Sequence, residues 1–323
     1  MRFIVYGAGA VGGVVGARLA ESGADVALVA RGAHADAIRD RGLTVQSPDG
    51  SNTLPLPVAT DPAELAIGES DAVLLAVKSQ DTAGCLAALR GTVPDSTPIV
   101  CLQNGVANER AALRLFANVY AICVLLPAGH LEPGVVQANS APLTGLLDIG
   151  RYPHGTDAVA ESIAAALERA TFQSQVLPDI MRWKYTKLLR NLGNALDALC
   201  GAAGRTSPLV DQLRAEGVAC LAAAGIPYAS EAEESARRAD HIRYRRINGQ
   251  RRDGSSTWQS LQRRTGSVET DYLNGEITRL GRELGIPTPA NALMQRLMYA
   301  HATARTAPAT LTPDAIQDML ATA

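Results

Sequence analysis

The sequence predicts an amino-terminal α/β domain with a parallel-rich sheet, followed by an all-α domain. Three observations carry that expectation. From the start to about residue 178, apolar runs of strand length alternate with helical patterns, the signature of a sheet covered by helices. A glycine run separates the first apolar run from the first helical stretch. Beyond residue 178 the patterning is helical throughout. The chain has 323 residues, enough for two domains with separate cores, and the expected division is 1–178 and 179–323.

The first strand is expected over residues 2–6, and Gly7-Ala8-Gly9-Ala10-Val11-Gly12 follows it directly. This run obeys G-x-G-x-x-G and opens a helix over residues 11–22, the context that a dinucleotide-binding turn requires. Gly7 permits the tight turn, Gly9 lets backbone approach a pyrophosphate, and Gly12 brings the helix close to the strand. Unpaired helix N–H groups then face the anion. The domain is thus expected to be a Rossmann fold. The second strand, residues 25–29, runs out at Ala30-Arg31. Binders of the unphosphorylated cofactor carry Asp or Glu near this point, whereas an arginine suits a 2′-phosphate through its planar fork of donors. NADPH is the expected cofactor.

Further strands are expected at 72–77, 98–102 and 120–125. Residues 44–58 read as a hairpin around Ser47-Pro48-Asp49-Gly50. Strand-like pieces follow at 134–137 and 144–149, then a helix at 158–170 and a short run at 173–177. In the second domain a long helix is expected over 179–199, stopping near Gly201. Another covers 209–224 and stops at Gly225, as a C-terminal glycine dictates. The charged stretch 231–246 reads as a solvated helix followed by an exposed loop at 249–254. Helices at 267–285 and 290–303 complete the bundle.

Composition narrows the function classes. The chain is 47% hydrophobic with a formal net charge of -2, which gives no electrostatic footprint for nucleic acid or an anionic membrane. A small-molecule partner is expected. Five cysteines without paired spacing, most of them in apolar runs, read as reduced core residues. No cleavable signal and no membrane-length apolar run is read, so a cytoplasmic protein is expected. The five histidines are scattered and suggest no metal ligand set. Oligomeric state stays open, a homodimer through the helical domain included.

Chemistry must come from other residues, because a Rossmann turn reports only a bound dinucleotide. The strand at 72–77 ends in Lys78-Ser79-Gln80, and the next ends in Gln103-Asn104-Gly105, both at the carboxyl edge where open α/β sheets bind ligands. Lys78 is a candidate to touch cofactor or substrate and Asn104 a polar anchor, with loop solvation or helix capping as the plain alternatives. In the long helix, Lys187, Asn191 and Asn194 stand at i, i+4 and i+7 and so share one face, although a solvated stripe has the same spacing. A lysine near apolar walls can donate a proton to a carbonyl oxygen. Lys184, one turn earlier, is the rival for that role. Ser255-Ser256 either opens a helix N-terminus suited to a carboxylate or merely caps it. Glu269 either orients a lysine or substrate hydroxyl or is an exposed structural glutamate.

Taken in order, these motifs resemble the ketopantoate reductase (2-dehydropantoate 2-reductase) family over most of the chain. The resemblance rests on 7–12 with Arg31, Ala76-Val77-Lys78-Ser79-Gln80, Gln103-Asn104-Gly105-Val106, Lys187 with Asn191, the serine pair, and Glu269-Thr270-Asp271-Tyr272-Leu273-Asn274-Gly275. It implies an NADPH-dependent reductase of a 2-oxo acid on the route to pantothenate and coenzyme A. Lys187 is then the general acid, and Glu269 helps to fix the lysine or the substrate hydroxyl. Asn104, Asn191, Asn194 and Ser256 bind substrate, with Lys78 and Asn104 near the cofactor. Two positions depart from the family pattern. Ala195 stands where the family often has its second asparagine, and Ser260 where an acidic residue is common. A related reductase of another 2-oxo or hydroxy acid, and a dinucleotide sensor without chemistry, are the competing readings.

Overall fold

The protein is described here by a computed structural model over residues 1–239, 241–250 and 252–322. It divides into two compact units. The first comprises Met1–Lys184 and Ser230–Arg252, the second Tyr185–Ala229 and Asp253–Ala323. The change of unit thus falls inside the helix Ile180–Asn191 rather than at residue 178, and a later segment returns to the first unit.

Strands of the first unit are β1 (Arg2–Tyr6), β2 (Val26–Val29), β3 (Leu43–Ser47), β4 (Gly50–Leu54), β5 (Val58–Ala59) and β6 (Asp71–Leu75). They continue with β7 (Ile99–Cys101), β8 (Val119–Leu125), β9 (Ala128–Gly129), β10 (Val135–Ala138), β11 (Gly145–Arg151) and β12 (Phe172–Gln173). Among the described residues, eight form one sheet in the order β12-β11-β8-β7-β6-β1-β2-β5. All its pairings are parallel except β11 against β8. The central strands are apolar on both faces: Ile4, Val5, Val73 and Leu75 are fully buried, as a sheet covered on both sides demands. Strand order reverses between β1 and β6, so the carboxyl ends of these two strands border the crevice where such sheets take ligands.

The expected hairpin is present, β3 pairing antiparallel with β4 across Pro48-Asp49. It does not join the large sheet. It forms a second sheet in the order β4-β3-β10-β9, with β3 parallel to β10.

The charged stretch after residue 230 is not simply solvated. Its helix is short, Glu231–Arg238, and is opened by a Ser230/Glu233 capping box. Arg237 forks onto both carboxylate oxygens of Asp148 on β11, with Nε to Oδ2 at 2.8 Å, and both side chains are nearly buried. Arg182 Nη2 donates to Glu233 at 2.7 and 2.8 Å. These pairs hold the segment to the first unit.

The second unit is helical, as expected, but two of its helices are divided. The run expected over 179–199 is two helices, Ile180–Asn191 and Asn194–Cys200, separated at Leu192-Gly193. Glycine there is a weak helix former, and the freed Leu192 carbonyl accepts 3.1 Å from Nδ2 of buried Asn274. The run expected over 267–285 is a single 3-10 turn, Glu269–Tyr272, then the helix Asn274–Leu284. Leu273, with φ -115° and ψ -90°, interrupts it. Leu209–Ala223 and Pro289–Thr303 match expectation, and Pro313–Ala321 ends the described chain.

Candidate functional site

Each glycine of the first turn has a distinct surrounding. Gly7 has φ 105°, and a Cβ there would lie 2.7 Å from the Val77 nitrogen. At Gly12 a Cβ would fall 2.1 Å from the Gly7 carbonyl oxygen and 2.9 Å from Val5 Cγ1, so helix Ala10–Glu21 lies directly on turn and strand. A Cβ on Gly9, the residue capping that helix, would meet no protein atom within 4 Å. No side chain caps the helix and its first turn holds no acid, which leaves the helix N-terminus suited to an anion. Ala8 is buried, while Ala10 and Val11 are half-buried. This cradle fits the pyrophosphate of a dinucleotide. Arg31 caps the next helix, Gly32–Arg41, from the end of β2. Its guanidinium is exposed and 3.7 Å from Asp81.

Lys78 and Asn104 stand half-buried beyond the ends of β6 and β7, on the same edge of the sheet as the glycine turn. A buried polar network locks their two loops together. Gln103 Nε2 donates to the Val77 carbonyl and to Thr82 Oγ1, both at 2.8 Å. The Thr82 hydroxyl donates to Asn108 Oδ1 at 2.9 Å, and Asn108 Nδ2 donates to the Asn104 carbonyl and to Ser79 Oγ, both at 3.1 Å. Thr82 and Asn108 escaped the sequence reading, and Ser79 and Gln103 entered it only as members of the strand-end motifs, without a role of their own. Their signal was polar side chains beside the strand ends, here turned inward to satisfy loop backbone that burial would otherwise leave unpaired.

Lys184 belongs to the same construction. Its Nζ donates to the Gln103 carbonyl at 3.0 Å and pairs with the Glu109 carboxylate, the two side chains 2% and 0% exposed. A charge so enclosed holds the Gln103-Asn104 loop and is unsuited to meeting a substrate. Lys187, one turn later, is half-buried. Lys187 and Asn191 keep their shared face on Ile180–Asn191, but Asn194 opens the following helix, so the three do not form one continuous stripe.

Within the second unit, Ser255 decides the fate of the serine pair. Its hydroxyl accepts from the Trp258 N–H at 3.2 Å and donates to the Asn194 carbonyl at 3.4 Å, and its own N–H donates to Asp197 at 2.5 Å. Ser255 is therefore the helix cap, and Ser256 is the first helical residue. The same contacts bring Ser255, not Ser256, against the Asn194 backbone. Asp197 also receives Arg205 at 2.8 Å. Buried Ser260 donates to the Ser256 carbonyl at 2.9 Å. Glu269 is half-buried on its own 3-10 turn near Arg263; burial pulls the Arg263 pKa down and the charge of Glu269 acts against it. Asn274, whose role sequence reading left blank, supports the break between Asn191 and Asn194. It is held in turn by Asn291 Oδ1 at 3.0 Å, with Asn291 bonded to Glu216 at 2.8 Å.

Among the described residues, no group of three or more His, Cys, Asp or Glu is placed to hold a metal, and no helix is long and apolar enough to cross a membrane.

Residues 3–154 match the family model described as ketopantoate reductase PanE/ApbA, and residues 179–302 match its C-terminal counterpart. The 2-dehydropantoate 2-reductase of Halobacterium salinarum is 33% identical over 304 residues, covering 90% of this chain and 95% of that protein. The enzyme of that name from Pyrococcus horikoshii is 28% identical, covering 93% and 97%. Among solved structures, a PanE/ApbA family ketopantoate reductase from Ralstonia eutropha superposes with a TM-score of 0.77 at 29% identity, covering 94% and 99%. D-mandelate dehydrogenase, solved with NADH and anilino(oxo)acetate, shares the fold with a TM-score of 0.78 at 23% identity, over 94% and 99% of the two chains.

Proposed function

The chain belongs to the ketopantoate reductase family, and from that premise we propose that it reduces 2-dehydropantoate to (R)-pantoate with NADPH, in the formation of pantothenate and coenzyme A. One observation carries the assignment of roles. Of the two lysines on helix Ile180–Asn191, Lys184 is enclosed against Glu109 and the Gln103 carbonyl, which speaks against it as the proton donor and favours Lys187.

When bound, the cofactor supplies the hydride that reaches the ketone carbon. Lys187 donates its ammonium proton to the ketone oxygen as negative charge develops there, and solvent returns a proton to the amine. Asn104, Asn191, Asn194 and Ser256 supply donors and acceptors for the substrate carboxylate and hydroxyl. Glu269 orients Lys187 or that hydroxyl. The glycine turn with Arg31 holds pyrophosphate and 2′-phosphate, and Lys78 adds positive charge near the cofactor. Buried reduced cysteines suit a cytoplasmic enzyme.

The test is NADPH oxidation with 2-dehydropantoate, in which Lys187→Ala should lower kcat at least about 100-fold. Undiminished kcat in that variant would remove Lys187 from the mechanism. A second reading, a related 2-oxo acid as substrate, is favoured by Ser260. Its hydroxyl is buried against the Ser256 carbonyl, at a position where the family resemblance leads one to expect an acid. Turnover of another 2-oxo acid, with none of 2-dehydropantoate, would favour it.

A further inference from the structure

His34 lies three residues beyond Arg31 on helix Gly32–Arg41, outside every role assigned above. Its two ring nitrogens make different contacts. Nδ1 is 2.9 Å from the N–H of Gly134, which precedes β10 in the small sheet, and must accept that hydrogen bond. Nε2 therefore carries the proton in the neutral ring and donates to the Ala8 carbonyl at 2.7 Å. The ring is braced by His130, with centroids 4.2 Å apart at a 55° tilt, and His130 Nδ1 is bonded to the Val135 carbonyl at 3.0 Å. Gly134 fits only closely against the same helix, since a Cβ there would lie 3.1 Å from Ala37 Cβ.

The consequence follows from peptide geometry. In a trans peptide the C=O of residue 8 and the N–H of residue 9 point in opposite directions. Clamping the Ala8 carbonyl toward His34 thus aims the Gly9 N–H away from it, and Gly9 is the residue whose Cβ direction is open. Gly13 approaches the same carbonyl closely, since a Cβ there would lie 2.7 Å from its oxygen.

We propose that His34 is a positioning residue for the dinucleotide: it fixes the Ala8-Gly9 peptide, and hence a donor to the pyrophosphate, by bracing the glycine turn against the small sheet. The same residue ties that turn to the helix that Arg31 caps, so the pyrophosphate and ribose ends of the cofactor share one support. This inference rests on the reading of residues 7–12 as a dinucleotide turn.

Two substitutions separate the contacts. In His34→Gln the side-chain amide reaches the ε position and can still donate to the Ala8 carbonyl. In His34→Asn the amide reaches only the δ position, so it can accept from Gly134 but not reach Ala8. NADPH affinity is measured by fluorescence titration, beside Tm and kcat at saturating NADPH. His34→Asn and His34→Ala should weaken NADPH binding about ten-fold, the worth of one well-placed hydrogen bond. His34→Gln should stay within about two-fold of the parent, with kcat little changed in all three. Equal affinities for the Gln and Asn variants at matched Tm would overturn the proposal, as would an unaltered Kd in His34→Ala. If His34→Ala fails to fold, the Gln and Asn pair decides alone. Absence of NADPH binding in the parent protein would instead sink the dinucleotide reading, and this inference with it.

Discussion

Replacing Lys184 by methionine keeps the length of the side chain and removes its charge. The Glu109 carboxylate, 0% exposed, would then lose its cation while its Oε2 already lacks a hydrogen-bond partner, and the Gln103 carbonyl would lose a donor. Breaking a buried ion pair from one side costs about 3–5 kcal/mol. For a unit of about 200 residues this corresponds to a fall in Tm of about 6–20 °C. The double variant Lys184→Met/Glu109→Leu removes both charges and should recover most of the loss, because an apolar pair of similar volume avoids the desolvation that the ions incur. Thermal unfolding of the parent, the single and the double variant measures all three terms. A single variant within about 1 kcal/mol of the parent, or a double variant less stable than the single, would refute the structural role given to Lys184. The first outcome would also reopen its candidacy as proton donor.

The remaining expectations concern the cofactor site and the core. Gly9→Ala places a methyl in open space, so Tm should hold while NADPH affinity falls about ten-fold or more; a Gly12→Ala variant must instead move the Gly7 carbonyl, and its stability should fall by about 1–3 kcal/mol. Arg31→Asp should weaken NADPH binding far more than NADH binding in a fluorescence titration, and equal losses would count against 2′-phosphate recognition. Burial lowers the His34 pKa from its ordinary value, outweighing the hydrogen bond to Ala8. A histidine held neutral in the fold contributes stability that is complete above its unfolded pKa of about 6.5 and is lost as pH falls below it. Cofactor affinity and Tm should therefore decline between about pH 7 and about pH 5, and His34→Gln should flatten that part of both profiles. Burial also pushes up the thiols of Cys101, Cys85 and Cys220, and that of Cys200 to about 11. A thiol reagent should leave the native protein largely unlabelled at about pH 8 and titrate all five cysteines after denaturation.

What sequence could and could not reveal divides along the range of the interactions. The glycine turn, the hairpin at Pro48-Asp49 and the Arg31 position depend on neighbours a few residues away, and their signals are complete within short windows. The break at Leu192-Gly193 is different. One glycine in a helical pattern costs only about 1 kcal/mol, and the decision lies with Asn274, 82 positions along the chain. Likewise Arg237 finds Asp148 across 89 positions, which turned an apparently solvated charge run into part of the first unit. Lys184 and Lys187 lie one turn apart on the same helix, and in sequence they differ by their spacing to Asn191. What encloses Lys184 is Glu109, 75 positions earlier. Such pairs leave no periodicity to read. The candidate residues Lys78, Asn104 and Ser256 stand out as polar types at strand ends and a helix start, whereas the inward-facing Gln103 and Asn108, which fix the loop of Asn104, resemble ordinary loop polarity.

The central claim is that this family member carries a 2-dehydropantoate reductase site with Lys187 as its acid. Its most direct test is kcat/KM for NADPH-dependent reduction across a panel of 2-oxo acids, with the parent and Lys187→Ala proteins side by side. The account predicts the highest value for 2-dehydropantoate and a loss of at least about 100-fold in the variant. A higher value for a different 2-oxo acid, or equal rates in the two proteins, would contradict it.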